Sequence, residues 1–138
     1  MTRPPSIRVA REVARAIRDH ARRDAPRECC GLLLGTPDHV TSCLAMSNVA
    51  RGTGRFRVDP RAHLDLQRLV RRLSPALAIV GVYHSHPKGP AVPSATDVAE
   101  AHYSGWIHLI AGPVSSRIPL RAFRIDRGVV EPLTVQRD

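Results

Sequence analysis

Between Val9 and Arg23 the apolar residues Val9, Val13, Ile17 and Ala21 recur at helical spacing, while Arg11, Arg15, Arg18 and Arg22 fall on the water-facing side. The spacing predicts an amphipathic first helix. Asp24-Ala25-Pro26-Arg27 breaks it, because proline cannot continue a helix interior. Cys29 to Leu34 then forms an unbroken apolar run closed by Gly35, which predicts a short buried strand. Thr36-Pro37-Asp38-His39 is turn material, and His39 to Met46 predicts the returning strand of a hairpin.

The stretch Asn48 to Arg57 is rich in Gly, Asn and Arg and reads as a loop. A second helix is expected after Asp59-Pro60, since Asp caps a helix and Pro suits its first position. Leu64, Leu66, Leu69, Val70 and Leu73 give that helix an apolar face, and it ends near Ser74-Pro75. Leu77 to Tyr83 is apolar and β-branched, the signature of a central strand, and it delivers the chain to His84. Three prolines and a glycine between Pro87 and Pro93 rule out regular structure there. A short helix over Ser94 to Tyr103 is expected next, then strands at Trp106–Ala111, Leu120–Ile125 and Val129–Val135. There is no internal repeat and no linker, so residues 1–138 are expected to be one domain, a size that buries about two-thirds of the unfolded chain's surface.

Composition narrows the class. With 43% hydrophobic and 24% charged residues the chain has the apolar content that disordered sequences lack. No apolar core follows Arg3 and Arg8 to make a signal peptide, and no run approaches the ~20 residues of a membrane span. Three cysteines, two of them adjacent at Cys29 and Cys30, do not make a disulfide framework; they fit packing in a reducing cytoplasm. The net charge is +9, and Lys88 is the sole lysine. Such a charge draws acidic partners. The arginines are scattered and only five aromatics exist, so no base-stacking platform is evident and nucleic acid is disfavoured.

The chemistry gathers where the central strand ends. Side chains alternate along an extended chain, so His84 and His86 project to one side with Ser85 turned away. Catalytic zinc takes three protein ligands and keeps a fourth position open; Asp97 is the nearest acid able to supply the third, brought in by the proline-rich loop. Each residue alone would be an ordinary strand-end histidine or a first-turn helix acid. His39, His20, His63, His102 and His108 show no ligand spacing and are expected to be structural or exposed.

His84-Ser85-His86-Pro87 followed by Ser94-Ala95-Thr96-Asp97 resembles the metal motif of the JAMM (MPN+) metalloproteases, prokaryotic stand-alone type. Upstream, Arg27 to Gly35 is similar to the segment that carries the family's catalytic glutamate, and Phe56-Arg57-Val58-Asp59-Pro60 to its mid-domain strand-to-helix junction. The resemblance implies an α/β domain, a cytidine-deaminase-like mixed sheet flanked by helices. It implies a zinc ion on His84, His86 and Asp97, with Glu28 as proton carrier. It implies hydrolysis of a peptide or isopeptide bond, often at the Gly-Gly tail of a ubiquitin-like sulfur carrier, and such a tail is expected to bind beside the site by strand addition. Ser94 has two candidate jobs, capping the helix or donating to an oxyanion. The competing readings are a non-catalytic metal-binding scaffold of the same fold and a RadC-like nucleic-acid protein. A cytidine deaminase is disfavoured because no PCxxC pair exists.

Overall fold

A computed structural model describes residues 5–50, 60–73, 77–101 and 103–138. The described elements run β1 (Ser6–Val9), α1 (Arg11–Asp24), β2 (Cys30–Thr36), β3 (His39–Met46), α2 (Pro60–Leu73), β4 (Ala78–Ser85), α3 (Ala95–Ala99), β5 (Ile107–Ala111), β6 (Leu120–Asp126) and β7 (Val129–Arg137). The hairpin β2–β3 and strands β4 to β7 stand within a residue or two of their expected places. The expected loop from Asn48 to Arg57, the residues Phe56 to Asp59 and the Ser74-Pro75 helix end lie mostly or wholly outside the described residues.

The first element departs from expectation. Val9, expected at the head of the helix, belongs to β1: Ile7 and Val9 are buried while Ser6 and Arg8 are exposed. A period of two over four residues is too short to stand out against the helical spacing that follows. The helix begins at Arg11 and lays Val13, Ala14, Ile17 and Ala21 inward against β3, β4 and β5. Burying Val13 and Ile17 contributes roughly 1.5–3 kcal/mol each.

The expected mixed sheet is present, but it closes. The strand order is β1-β3-β2-β4-β5-β6-β7, and β7 returns to β1 with Ile7 opposite Val135 and Val9 opposite Arg137. Pairs β1–β3, β1–β7 and β4–β5 are parallel, and the others antiparallel. Closure was not legible because it depends on pairing between the two ends of the chain, which leaves no local mark. β2 lies between β3 and β4, with Cys30 opposite both Met46 and His84. Gly31 is needed in that strand, since a Cβ there would fall 2.1 Å from the Tyr83 ring. No helix among the described residues is long and apolar enough to cross a membrane.

Candidate metal and catalytic site

β4 extends through Ser85, so His84 lies inside the strand, fully buried, and His86 just past its end. Pairing fixes this corner on both sides. His84 sits opposite Cys30 of β2 and Ile110 of β5, and the His86 N–H donates to the Ala111 carbonyl at 2.8 Å. Beyond β5, Gly112 packs against the His86 backbone so closely that a Cβ would lie 2.2 Å from its carbonyl oxygen. Ser85 points the other way, as alternation predicts, and has a use that the sequence did not reveal. Its hydroxyl accepts the Cys29 N–H at 2.9 Å, and its own N–H donates to the Cys29 carbonyl at 3.2 Å. Extending the ladder two residues beyond Cys30 sets Glu28 across from His86. Asn48 holds that end of the chain by donating to the Glu28 carbonyl at 2.8 Å.

The third residue arrives on α3, shorter than expected. Glu100 N–H turns back to the Thr96 and Val98 carbonyls and closes the helix after five residues. Ser94 is its N-cap: Oγ accepts the Asp97 N–H at 3.1 Å, while the Ser94 N–H donates to Asp97 Oδ2 at 2.8 Å, a complete capping box. Capping does not exclude the other job weighed for Ser94, because an accepting hydroxyl still has a proton to donate and the residue is exposed.

His84, His86 and Asp97 meet at one point. The two Nε2 atoms are 3.0 Å apart, and each is 3.2 Å from Asp97 Oδ2. Ligands about 2.0–2.1 Å from a tetrahedral zinc are separated by about 3.3 Å, so the triangle has the edge length of such a shell. The donor set fits a cation for a chemical reason as well. His86 Nδ1 lies 2.9 Å from the Pro90 carbonyl, which can only accept, so the proton of the neutral ring is on Nδ1 and Nε2 presents a lone pair. That lone pair faces a carboxylate oxygen. Two acceptors at this distance repel unless something positive lies between or beside them. Glu28, His84 and His86 also offer ligand atoms that all lie within 4.8 Å of one another, a span that one water bridges through two hydrogen bonds of ~2.8 Å.

Burial sets the electrostatics. It pushes the Glu28 carboxyl up to about 7, against the pull of His86 and with the push of Asp97. It drives His84 down, partly offset by its bond to Asp97. Burial would raise Asp97 too, but the imidazoles of His84 and His86 and the Ser94 N–H beside it outweigh that and hold the carboxyl well below the usual range. His86 goes the other way: contacts with Asp97, Pro90 and Glu28 overcome burial and raise it. His108 is buried on β5 and held down to about 4 by burial and by His84, so it is a neutral neighbour of the site. His20 bonds Tyr83, and His63 packs against Tyr103 and Trp106; His102 lies outside the described residues.

Residues 10–126 match the family model described as prokaryotic homologs of the JAB domain. The chain belongs to that family. Among its prokaryotic JAB relatives, the desampylase of Haloferax volcanii is 35% identical over 114 residues, covering 78% of this chain and 81% of that protein. The CysO-cysteine peptidase of Mycobacterium tuberculosis is 33% identical over 133 residues, covering 90% and 87%. The solution structure of a Desulfitobacterium hafniense protein superposes with a TM-score of 0.84 at 27% identity, covering 96% of this chain and 92% of that one. The second of these relatives is a peptidase by name.

Proposed function

We propose that this protein is a zinc-dependent peptidase that cleaves a peptide or isopeptide bond at the C-terminal Gly-Gly tail of a ubiquitin-like sulfur carrier in the cytoplasm, working as a single domain. In this reading His84, His86 and Asp97 hold the metal, and Glu28 and Ser94 act on the substrate. The observation that carries it is the triangle of 3.0–3.2 Å between the two imidazoles and the carboxylate, with Glu28 within a water's reach. The names of the desampylase and the CysO-cysteine peptidase support the substrate class.

A zinc ion bound there supplies acidity to a water molecule and polarises the scissile carbonyl. The rest belongs to the chain. Glu28 takes the proton from the attacking water and passes it to the leaving amine, and its burial, which raises the carboxyl in the metal-free site, favours its accepting that proton. Ser94 donates its hydroxyl proton to the oxyanion while its oxygen keeps accepting from Asp97. Pro90 keeps the His86 ring in the tautomer that presents Nε2. Glycines next to the scissile bond suit a buried site, because they let the substrate backbone approach closely.

One expectation about that tail changes. At His84 the strand β4 is paired on both sides, with β2 and β5, so no tail can add as a strand beside it. The tail instead crosses the end of the barrel, where His86 and Ser94 are accessible. The decisive experiment is mass spectrometry of carriers extended beyond Gly-Gly, incubated with the zinc-loaded protein with and without a chelator. Trimming to Gly-Gly that stops on chelation is the expected result. Efficient cutting of unrelated peptides with every extended carrier left intact would remove the carrier from the reading. Zinc binding with no cleavage of any substrate would favour the scaffold.

A further inference from the structure

Apart from the metal site, α1 carries a second constellation. Arg11, Arg15, Arg18 and Arg22 follow one another at intervals of four, three and four, which at 100° per residue confines them to one stripe of the helix. Together with Arg137 at the end of β7 they line a cavity of about 270 Å³, in which Asp19 is the lone acid. Five arginines against one aspartate leave a net of four positive charges.

This arrangement works against the helix that bears it. Like charges three and four residues apart destabilise a helix, and Arg11 sits in the first turn, where the macrodipole is already positive. The N-cap Ala10 makes no side-chain capping bond, and Glu12 is the single acid of the first turn. Asp19 answers only Arg22, at 3.6 Å. Arg18 is anchored by its Nε–H to the Ile118 carbonyl at 2.8 Å, which keeps its guanidinium at the cavity wall. Burial first, and then the neighbouring Arg137 and Arg22, push the Arg18 pKa down.

We propose that this cleft binds a small phosphate-chain anion, a di- or triphosphate either free or carried by a nucleotide. Terminal phosphates carry about −1.5 to −2 each, so two or three in a row neutralise the four charges, and guanidinium forks match phosphate oxygens two at a time. Size and lining decide against larger partners. A protein partner anchors through aromatic or aliphatic side chains, and the wall offers only Ala14. Single-stranded nucleic acid is held by aromatic stacking, and no aromatic lines the cleft. None of Glu28, His84, His86 or Asp97 belongs to it, so the site is independent of the metal centre.

The test is titration of the chelator-treated protein with inorganic pyrophosphate, tripolyphosphate and ATP at constant ionic strength, followed by calorimetry and by the backbone amide shifts of residues 11–22. Saturable 1:1 binding of tripolyphosphate, with shifts confined to α1 and Arg137, is expected. Arg11→Ala/Arg15→Ala, two exposed positions that bond no other side chain or backbone group among the described residues, should weaken it by tenfold or more, while Arg72→Ala on α2 changes it less than twofold. ATP binding as tightly as tripolyphosphate identifies the phosphate chain as the ligand; tripolyphosphate binding without ATP restricts the site to free polyphosphate. Equal weakening by Arg72→Ala, absence of saturation, or tighter binding of an oligonucleotide or an acidic peptide at the same arginines overturns the proposal.

Discussion

Tyr83 and His84 are buried neighbours on β4, and each belongs to a cluster of histidine and aspartate, one on either side of the strand. On the Tyr83 side, His20 Nδ1 meets the Tyr83 hydroxyl at 2.8 Å and His20 Nε2 meets Asp24 at 3.1 Å. Tyr83 donates to the ring, the ring donates to the carboxylate, and every polar hydrogen has an acceptor. On the His84 side three atoms crowd within 3.2 Å, and the tautomer fixed by Pro90 turns one of them into a lone pair facing a carboxylate. The first cluster is complete as protein. The second leaves a lone pair against a carboxylate, and a positive charge there, a proton or a metal ion, completes it. Residue type does not separate a structural histidine from a ligand; the count of donors against acceptors does.

The contrast can be broken or sharpened by substitution. The largest effect is expected from His84→Ala or Asp97→Ala, which should remove bound zinc and with it all measurable activity; metal analysis of the purified variants checks this. His20→Ala should cost about 1–3 kcal/mol in stability for the polar groups it strands, yet leave metal content unchanged. Zinc lost equally from all three variants would abolish the distinction between the clusters.

Next comes Glu28→Gln, expected to keep zinc and slow turnover by ~10²-fold or more, because an amide cannot carry the proton. The same variant has a signature in the metal-free protein. With its folded pKa at about 7, above the ordinary 4.5, Glu28 keeps its proton in the native state while the unfolded chain releases it. The native state therefore loses stability as pH rises between those values. Metal-free Glu28→Gln should melt higher than the parent at pH 8 and no higher at pH 4, and identical melting shifts at both would contradict the buried placement of this carboxyl.

Ser94→Ala is expected to lose about 1 kcal/mol through the missing cap and up to ~10²-fold in turnover through the missing oxyanion donor. Early melting with normal turnover would leave capping as its one job. The smallest effect belongs to Tyr83→Phe, with about 1 kcal/mol lost and no change in metal content or rate, read by thermal melts and steady-state kinetics.

Much of this was legible in the chain. Apolar, β-branched runs and turn residues placed β3 and β4 to β7, and Pro60 marked the start of α2, because these signals are local. The convergence of His84, His86 and Asp97 was legible too, since all three lie in one short stretch around a rigid loop. What escaped were contacts between a side chain and a distant backbone. Ser85 on Cys29, Asn48 on Glu28 and His86 on Pro90 depend on where the second partner ends up in space. β1 escaped because four residues carry too little pattern, and its omission hid the barrel closure.

The position of Glu28 has a consequence for the order in which the protein is made. His84, His86 and Asp97 occupy one continuous segment, whereas Glu28 reaches them only when β2 zips onto β4, a loop closed by Ser85 and Cys29 across 56 residues. Closing such a loop is slow compared with local ordering. On the proposed reading, a nascent or partly refolded molecule gathers its metal ligands before it gains its proton carrier, so that metal uptake precedes competence and an immature chain would hold zinc without cutting its neighbours.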